Sequence, residues 1–184
     1  MIAILNKLKA DEHALLSQNI LEHLFNTPEF KSAETIGITI SRYPEVDTRF
    51  IIEAAWSLGK RIVIPKTNKE TKHMDFRLLT TFDDLETVYI DLLEPIIEKT
   101  KPILKEHIDL QIVPGVVFSR EGYRTGFGGG YYDRYLEDYG GKTLSLAFEC
   151  QTGFDVPIEN HDLPVDKIVT EKNVIDCQEI RESK

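Results

Sequence analysis

The sequence predicts an α/β fold of three layers, a mostly parallel sheet with helices on both faces. Three observations predict it. The runs TIGITIS (35–41), RIVIP (61–65), 108–113 and KTLSLAFE (142–149) are short and apolar and lack polar alternation, as strands covered on both faces do. Segments with helical spacing of apolar residues separate the early runs, and the order strand, helix, strand returns parallel strands to one sheet. At 184 residues the chain is long enough to bury a core and is expected to form one domain, 1–184.

Residues 2–8 are helix-like, with Ile4, Leu5 and Leu8 on one side. Asp11 is the expected N-cap of a second helix carrying Leu16, Ile20, Leu21, Leu24 and Phe25, which Pro28 ends. The strand 35–41 is β-branched and leads into a polar loop, Arg42 to Asp47. Thr48 to Leu58 is helical, with Ile51, Ile52, Ala55 and Trp56 inward and Gly59 as its stop. The strand 61–65 closes on Pro65, and HMDFRLL (73–79) reads as a strand near a sheet edge. Segment 85–94 has no clear period, and 96–101 reads as a turn of helix or a loop. The strand 108–113 breaks at Pro114-Gly115. A helix over 131–139 follows the glycine loop and stops at Gly140-Gly141. After strand 142–149, KIVT (167–170) adds a short strand. No repeat, low-complexity tract or linker interrupts the chain.

The net charge of −9 argues against a nucleic-acid groove, and an anionic substrate would need local basic residues. Cys150 and Cys177 stand in no metal or redox spacing, which fits a reducing cytosol and inert packing. No apolar run is long enough to span a membrane. The start, MIAILNKLKADE, lacks a signal-peptide pattern, so a cytoplasmic place is expected.

Ligands of such sheets sit beyond the carboxyl ends of the strands. The loops at 40–45 and 65–66 and the glycine loop would share that rim. Gly126, Gly128, Gly129 and Gly130 leave the backbone bare, so N–H groups can approach a phosphate closely. The helix that follows adds unpaired donors, Arg124 offers a forked contact, and Asp133 could hold a hard cation. The loop is not a Walker A loop, since no Gly-Lys-Ser/Thr follows, nor G-x-G-x-x-G, since Tyr131 stands at the last glycine. The plain alternative is a strand-to-helix turn with no ligand. Glu45 either pairs with the amino-pyrimidine edge of a heterocycle or caps the helix at Thr48; position alone favours the cap. Asp133 and Asp166 are expected at the same rim as a magnesium pair, though each alone reads as a cap or surface charge. Lys66 and Arg120 are either site cations or solvated surface. Phe127, Tyr131 and Tyr132 suit stacking or core packing. His161 and Asp162 read as a structured turn, and no Ser-His-Asp or Cys-His arrangement emerges.

These residues match a known pattern. VPGVVFSREGYRTGFGGGYYDRYL (113–136), with ITISRYPEVDT, IPK (64–66), LLEP (92–95) and FECQ…HDLPVDKIVTE, resembles the 5-formyltetrahydrofolate cyclo-ligase family, also called methenyltetrahydrofolate synthetases. The resemblance spans nearly the whole chain. It implies a compact fold related to ribose-phosphate isomerase and CoA-transferase cores, and an ATP- and magnesium-dependent cyclisation. In that reaction the formyl oxygen attacks the terminal phosphate of ATP, the nitrogen at position ten attacks the resulting iminophosphate, and phosphate leaves. The resemblance assigns Arg124, Thr125, Gly126, Phe127, Gly128, Gly129, Gly130, Tyr131 and Tyr132 to ATP. Ile40, Glu45 and Phe127 to Tyr131 go to the folate, and Asp133 and Asp166 to magnesium; Arg124 and Tyr131 are the expected catalytic residues. The family usually begins with a basic segment that reaches the ATP phosphates, which Lys7 and Lys9 do not match. Either an upstream start, a truncation or another cation is expected to account for this.

The implied partners are the two small substrates, without nucleic acid or membrane, in a monomer or weak homodimer. Two other readings are a non-catalytic folate- or nucleotide-binding protein, and an isomerase or transferase acting on a sugar phosphate or CoA ester. The Tyr-Tyr-Asp motif and the acidic pair speak against the last.

Overall fold

A computed structural model describes residues 1–89 and 91–183. The chain opens with a single turn, α1 (Ile2–Leu5), and the long α2 (Ala10–Asn26). Lys9, not Asp11, is the N-cap of α2; Asp11 lies in the first turn, where its charge meets the positive end of the helix dipole. Pro28 stops α2 and also begins α3 (Pro28–Ser32), since proline at a first helical position loses no needed N–H. Thr27 Oγ1 caps α3 by accepting from Phe30 N–H at 3.2 Å.

β1 (Thr35–Gly37) is shorter than expected, because the chain leaves the ladder after Ile38 N–H donates to Val63 O (3.0 Å) and builds the rim loop. α4 (Thr48–Ser57) starts on Asp47, whose carboxylate accepts from Arg49 N–H at 2.9 Å. It ends into Gly59, whose φ of +76° suits glycine. β2 (Arg61–Thr67) pairs antiparallel with β3 (Met74–Leu79). The aperiodic segment forms a hairpin of β4 (Leu85–Tyr89) and β5 (Leu92–Pro95), and β6 (Lys101–Ile103) edges β3. After β7 (Leu110–Ile112), a second hairpin of β8 (Val117–Phe118) and β9 (Arg124–Thr125) precedes the glycine loop. α5 (Tyr131–Leu136) is shorter than the predicted 131–139. β10 (Lys142–Leu146) and β11 (Lys167–Val169) follow, then two elements without a sequence signal, β12 (Val174–Asp176) and α6 (Cys177–Glu182).

The central sheet runs β12-β11-β10-β7-β1-β2-β3-β6. The pairs from β11 to β2 are parallel, while antiparallel pairing adds β12 at one end and β3 and then β6 at the other. Alternation sorts the side chains into two layers. Ile36, Ile62, Ile64, Leu110 and Leu144 pack with Ile20 and Leu24 of α2 and Ile51 and Ile52 of α4. Val63, Val113 and Ile168 pack on the other side with Tyr135 and Leu136 of α5 and Cys177 of α6. Helices therefore cover both faces, and successive residues of β2 need no polar partner. Burial pushes the Cys177 thiol up to about 12, in keeping with an inert packing role. Cys150 is exposed, so packing does not account for it. Among the described residues, no helix is long and apolar enough to cross a membrane.

Candidate active site

The carboxyl ends of β1, β2 and β7 open on one crevice of about 700 Å³, within the usual range for a ligand site. Its walls come from distant parts of the chain: Thr39, Ile40, Arg42 and Glu45 after β1, Pro65 and Thr67 on β2, Tyr89 and Glu94 of the β4–β5 hairpin, Arg124 to Asp133, and the turn with Glu159, His161 and Asp162. The parallel order dictates this meeting, because parallel strands deliver their following loops to one edge.

The glycine loop is bare where it faces the crevice. Gly128 and Gly130 have φ of +81° and +62°, left-handed values that glycine takes without strain. Gly130 is the N-cap of α5 and has no side chain to cap it. Among the described residues, no backbone N–H from Gly126 to Asp133 donates to a protein acceptor. A Cβ at Gly126 or Gly128 would meet nothing within 4 Å, whereas one at Gly129 would stand 2.6 Å from the Tyr131 ring. The loop is tied down from behind: Arg134 Nη2 donates to Gly129 O (2.6 Å), and Arg134 Nε to Lys72 O in the β2–β3 turn (3.4 Å).

Arg124 is buried at the loop's root. Its Nη1 donates to Leu163 O (2.7 Å) and its Nη2 to Asp133 Oδ1 (2.9 Å), so the expected phosphate ligand and an expected metal ligand form an ion pair. Lys66, a candidate cation, is engaged with Glu86 (2.6 Å) and Glu94 (3.5 Å) and does not line the crevice; Arg120 is exposed and also lies outside it. Among the described residues, the arginine and lysine side chains that do line it with Arg124 are Arg42 and Lys69, which sequence reasoning does not single out. The available signal for Arg42 is its place, just past the predicted strand at 35–41.

Glu45 is not a helix cap, because Asp47 fills that role. Its Oε2 accepts from Arg42 N–H at 2.7 Å, and the side chain borders the crevice beside buried Ile40. Burial pushes the Glu45 pKa up, against the Arg42 N–H and charge, which pull it down. The folded state therefore favours the neutral carboxyl. That stability is full below the ordinary value of 4.5 and is lost as pH rises through the raised folded value. Glu45→Gln should remove the loss. The urea midpoint of the variant is expected to match the parent near about pH 4 and exceed it increasingly toward about pH 7. A difference that stays flat with pH would show that ionisation of Glu45 costs the fold nothing.

Phe127 is 63 % exposed at the crevice, with the Arg42 guanidinium carbon 5.9 Å from its ring centroid. Tyr131 lies under Lys72 Nζ at 5.6 Å. Tyr132 is the tyrosine that packs, its ring against the second core layer and its hydroxyl buried; burial pushes its pKa up. His161 and Asp162 do form a turn, with Asp162 Oδ2 accepting from Glu159 N–H at 2.7 Å.

Asp166 requires a correction. Expected beside Asp133, it stands at the amino edge of the sheet, where its Oδ2 accepts from Thr143 N–H (2.9 Å) at the start of β10. Its charge reaches Tyr139, beyond the far end of α5 from Asp133. The physical reason is direction: Asp166 immediately precedes β11, and a residue before a parallel strand lies at the edge opposite the crevice. Of the two expected metal ligands, the structure brings only Asp133 to the site. Among the described residues, no group of three or more His, Cys, Asp or Glu side chains could hold a metal ion.

Comparison with known proteins shows what the whole chain is similar to. The model of the 5-formyltetrahydrofolate cyclo-ligase family matches residues 1–171. The 5-formyltetrahydrofolate cyclo-ligase of Haemophilus influenzae is 28% identical over 169 residues, covering 88% of this chain and 90% of that protein. The Mus musculus enzyme of the same name is 29% identical, covering 85% and 81%. Among solved structures, the 5,10-methenyltetrahydrofolate synthetase of Aquifex aeolicus superposes with a TM-score of 0.83 at 30% identity, covering 96% of this chain and 89% of that one. The synthetase of Mycoplasma pneumoniae gives 0.73 at 26% identity, covering 92% and 93%.

Proposed function

The chain belongs to the 5-formyltetrahydrofolate cyclo-ligase family, and from that premise we propose that its crevice converts 5-formyltetrahydrofolate and ATP to 5,10-methenyltetrahydrofolate, ADP and phosphate. One observation carries the assignment to this crevice. A bare run of N–H donors from Gly126 to Asp133 and the Glu45 carboxylate line the same space. The first suits a phosphate, and the second suits the amino-pyrimidine edge of a reduced pterin.

The nucleophile belongs to the substrate. The formyl oxygen attacks the terminal phosphorus as the bond to ADP breaks. N10 then attacks the formyl carbon and gives up its proton, and the carbon–oxygen bond breaks as phosphate leaves with that proton. The protein's share is to position both substrates and neutralise charge. Gly126, Gly128, Gly129, Gly130 and Tyr131 donate N–H groups to the terminal phosphate, while Thr125, Phe127 and Tyr132 shape the walls. Arg124 supplies the fixed positive charge, and Tyr131 stands where the two substrates meet. Ile40 packs on the pterin. Magnesium fits through Asp133, because this ion keeps several waters and takes one or two carboxylates together with phosphates. Bound there it would neutralise phosphate charge. Residues 1–184 work as one domain in the cytoplasm, as a monomer or weak dimer.

The experiment is to follow methenyl absorbance with each substrate present or withheld. Turnover that needs both MgATP and 5-formyltetrahydrofolate is the expected result. Tight binding of both without product would instead favour a non-catalytic binding protein of this fold.

A further inference from the structure

We propose that His13 is a positioning residue for the pterin end of the crevice, acting through the backbone of Glu45. His13 lies on α2, far from the glycine loop in sequence, and is 8 % exposed. Its Nε2 is 2.8 Å from the carbonyl oxygen of Glu45. A carbonyl only accepts, so the ring nitrogen must carry the proton and donate. The ring itself is held between Tyr43 and Phe148, with centroids 5.1 and 5.4 Å away.

The rim loop needs such a brace. It leaves the sheet after Ile38, so no ladder holds it. Its base is tied to α4 by reciprocal bonds, Ser41 N–H to Thr48 Oγ1 (2.9 Å) and Thr48 N–H to Ser41 Oγ (3.0 Å), but these do not reach the tip at Arg42 to Glu45. Two short bonds act inside it, Glu45 N–H to Arg42 O (2.7 Å) and Arg42 N–H to Glu45 Oε2 (2.7 Å). These shape the turn but do not anchor it to the rest of the protein. The anchors on the side away from the crevice come from the N-terminal helices: Tyr43 OH donates to Leu8 O (3.1 Å), Ser17 Oγ accepts from Asp47 N–H (3.2 Å), and His13 reaches Glu45 itself. Of these, only the His13 bond fixes the peptide that carries the Glu45 side chain. Losing it frees that peptide to rotate, and the carboxylate no longer points at one place. The cost falls on binding of the pterin, because the phosphate cradle belongs to another segment.

This inference rests on the reading of Glu45 as the pterin ligand, and the test separates the two. His13→Leu should raise the Kd for 5-formyltetrahydrofolate about tenfold, leave the Kd for MgATP near the parent value, and change KM more than kcat. His13→Gln, whose amide can reach the same carbonyl, should recover most of the loss, while His13→Asn, too short to reach it, should not. In a Glu45→Gln background, His13→Leu should add nothing further to the folate Kd, although its effect on the melting temperature persists. If His13→Leu does not fold, the contrast between Gln and Asn carries the test. The inference is overturned if Glu45→Gln raises the folate Kd and the His13 variants do not. It is equally overturned if His13→Gln and His13→Asn behave alike, which would leave His13 only a packing role. If Glu45→Gln itself leaves the folate Kd unchanged, the pterin assignment fails and the His13 inference falls with it.

Discussion

Gly126→Val is expected to lower turnover a hundredfold or more while leaving the melting temperature unchanged. A Cβ at Gly126 meets nothing within 4 Å, and its φ lies outside the left-handed range. Valine is therefore tolerated by the fold and stands in the crevice, between the phosphate and the N–H groups that should hold it. Displacement of reacting groups by about 1 Å costs roughly a hundredfold in rate, and a branched side chain displaces them further. The neighbouring glycines are less clean probes. Valine at Gly128 would be strained at φ +81°, and at Gly129 it would push into the Tyr131 ring. Steady-state rates, an MgATP titration and a thermal melt on the Gly126 variant give the answer together. Full activity would mean that the loop is not the floor of the site.

Asp133→Asn is expected to act twice. The Arg124 side chain is 5 % exposed and loses its counter-charge, so stability should fall by about 2 kcal/mol; fully buried pairs cost more when broken, but Asp133 keeps 24 % of its side chain in water. The magnesium concentration for half-maximal rate should rise about tenfold or more, since one carboxylate is lost from a site that uses few. Folate affinity should change by less than roughly twofold, because Glu45 lies on another loop. Urea unfolding, magnesium titration of the rate and folate binding separate these effects. Equal losses in magnesium dependence and folate affinity would mean that Asp133 only pairs with Arg124 and starts α5.

The parallel core was legible because its strands are apolar on both faces, and β2 shows why: Val63 packs one layer while Ile62 and Ile64 pack the other. The hairpin β8–β9 was not legible, because strands of two residues have no period to read. The same holds for β12. The glycine loop was visible because what matters there is the lack of side chains, which sequence displays directly. Glu45 stayed ambiguous because two acids, Glu45 and Asp47, both precede α4, and only geometry shows which caps it. Asp166 was misplaced although strand polarity could have placed it: it directly precedes the KIVT strand, on the side away from the rim. His13 had no signal, since its role depends on a contact across 32 positions.

The proposed reaction requires one crevice to set a nucleotide's terminal phosphate against the formyl oxygen of a reduced folate. A crystal structure of the ternary complex with magnesium, a non-hydrolysable ATP analogue and 5-formyltetrahydrofolate tests it most directly. The prediction is a terminal phosphate on the N–H groups of Gly126 to Tyr131, the pterin amino edge on Glu45, and the formyl oxygen roughly 3–3.5 Å from the terminal phosphorus. A terminal phosphate bound away from the glycine loop, or a pterin bound away from Glu45, would contradict it.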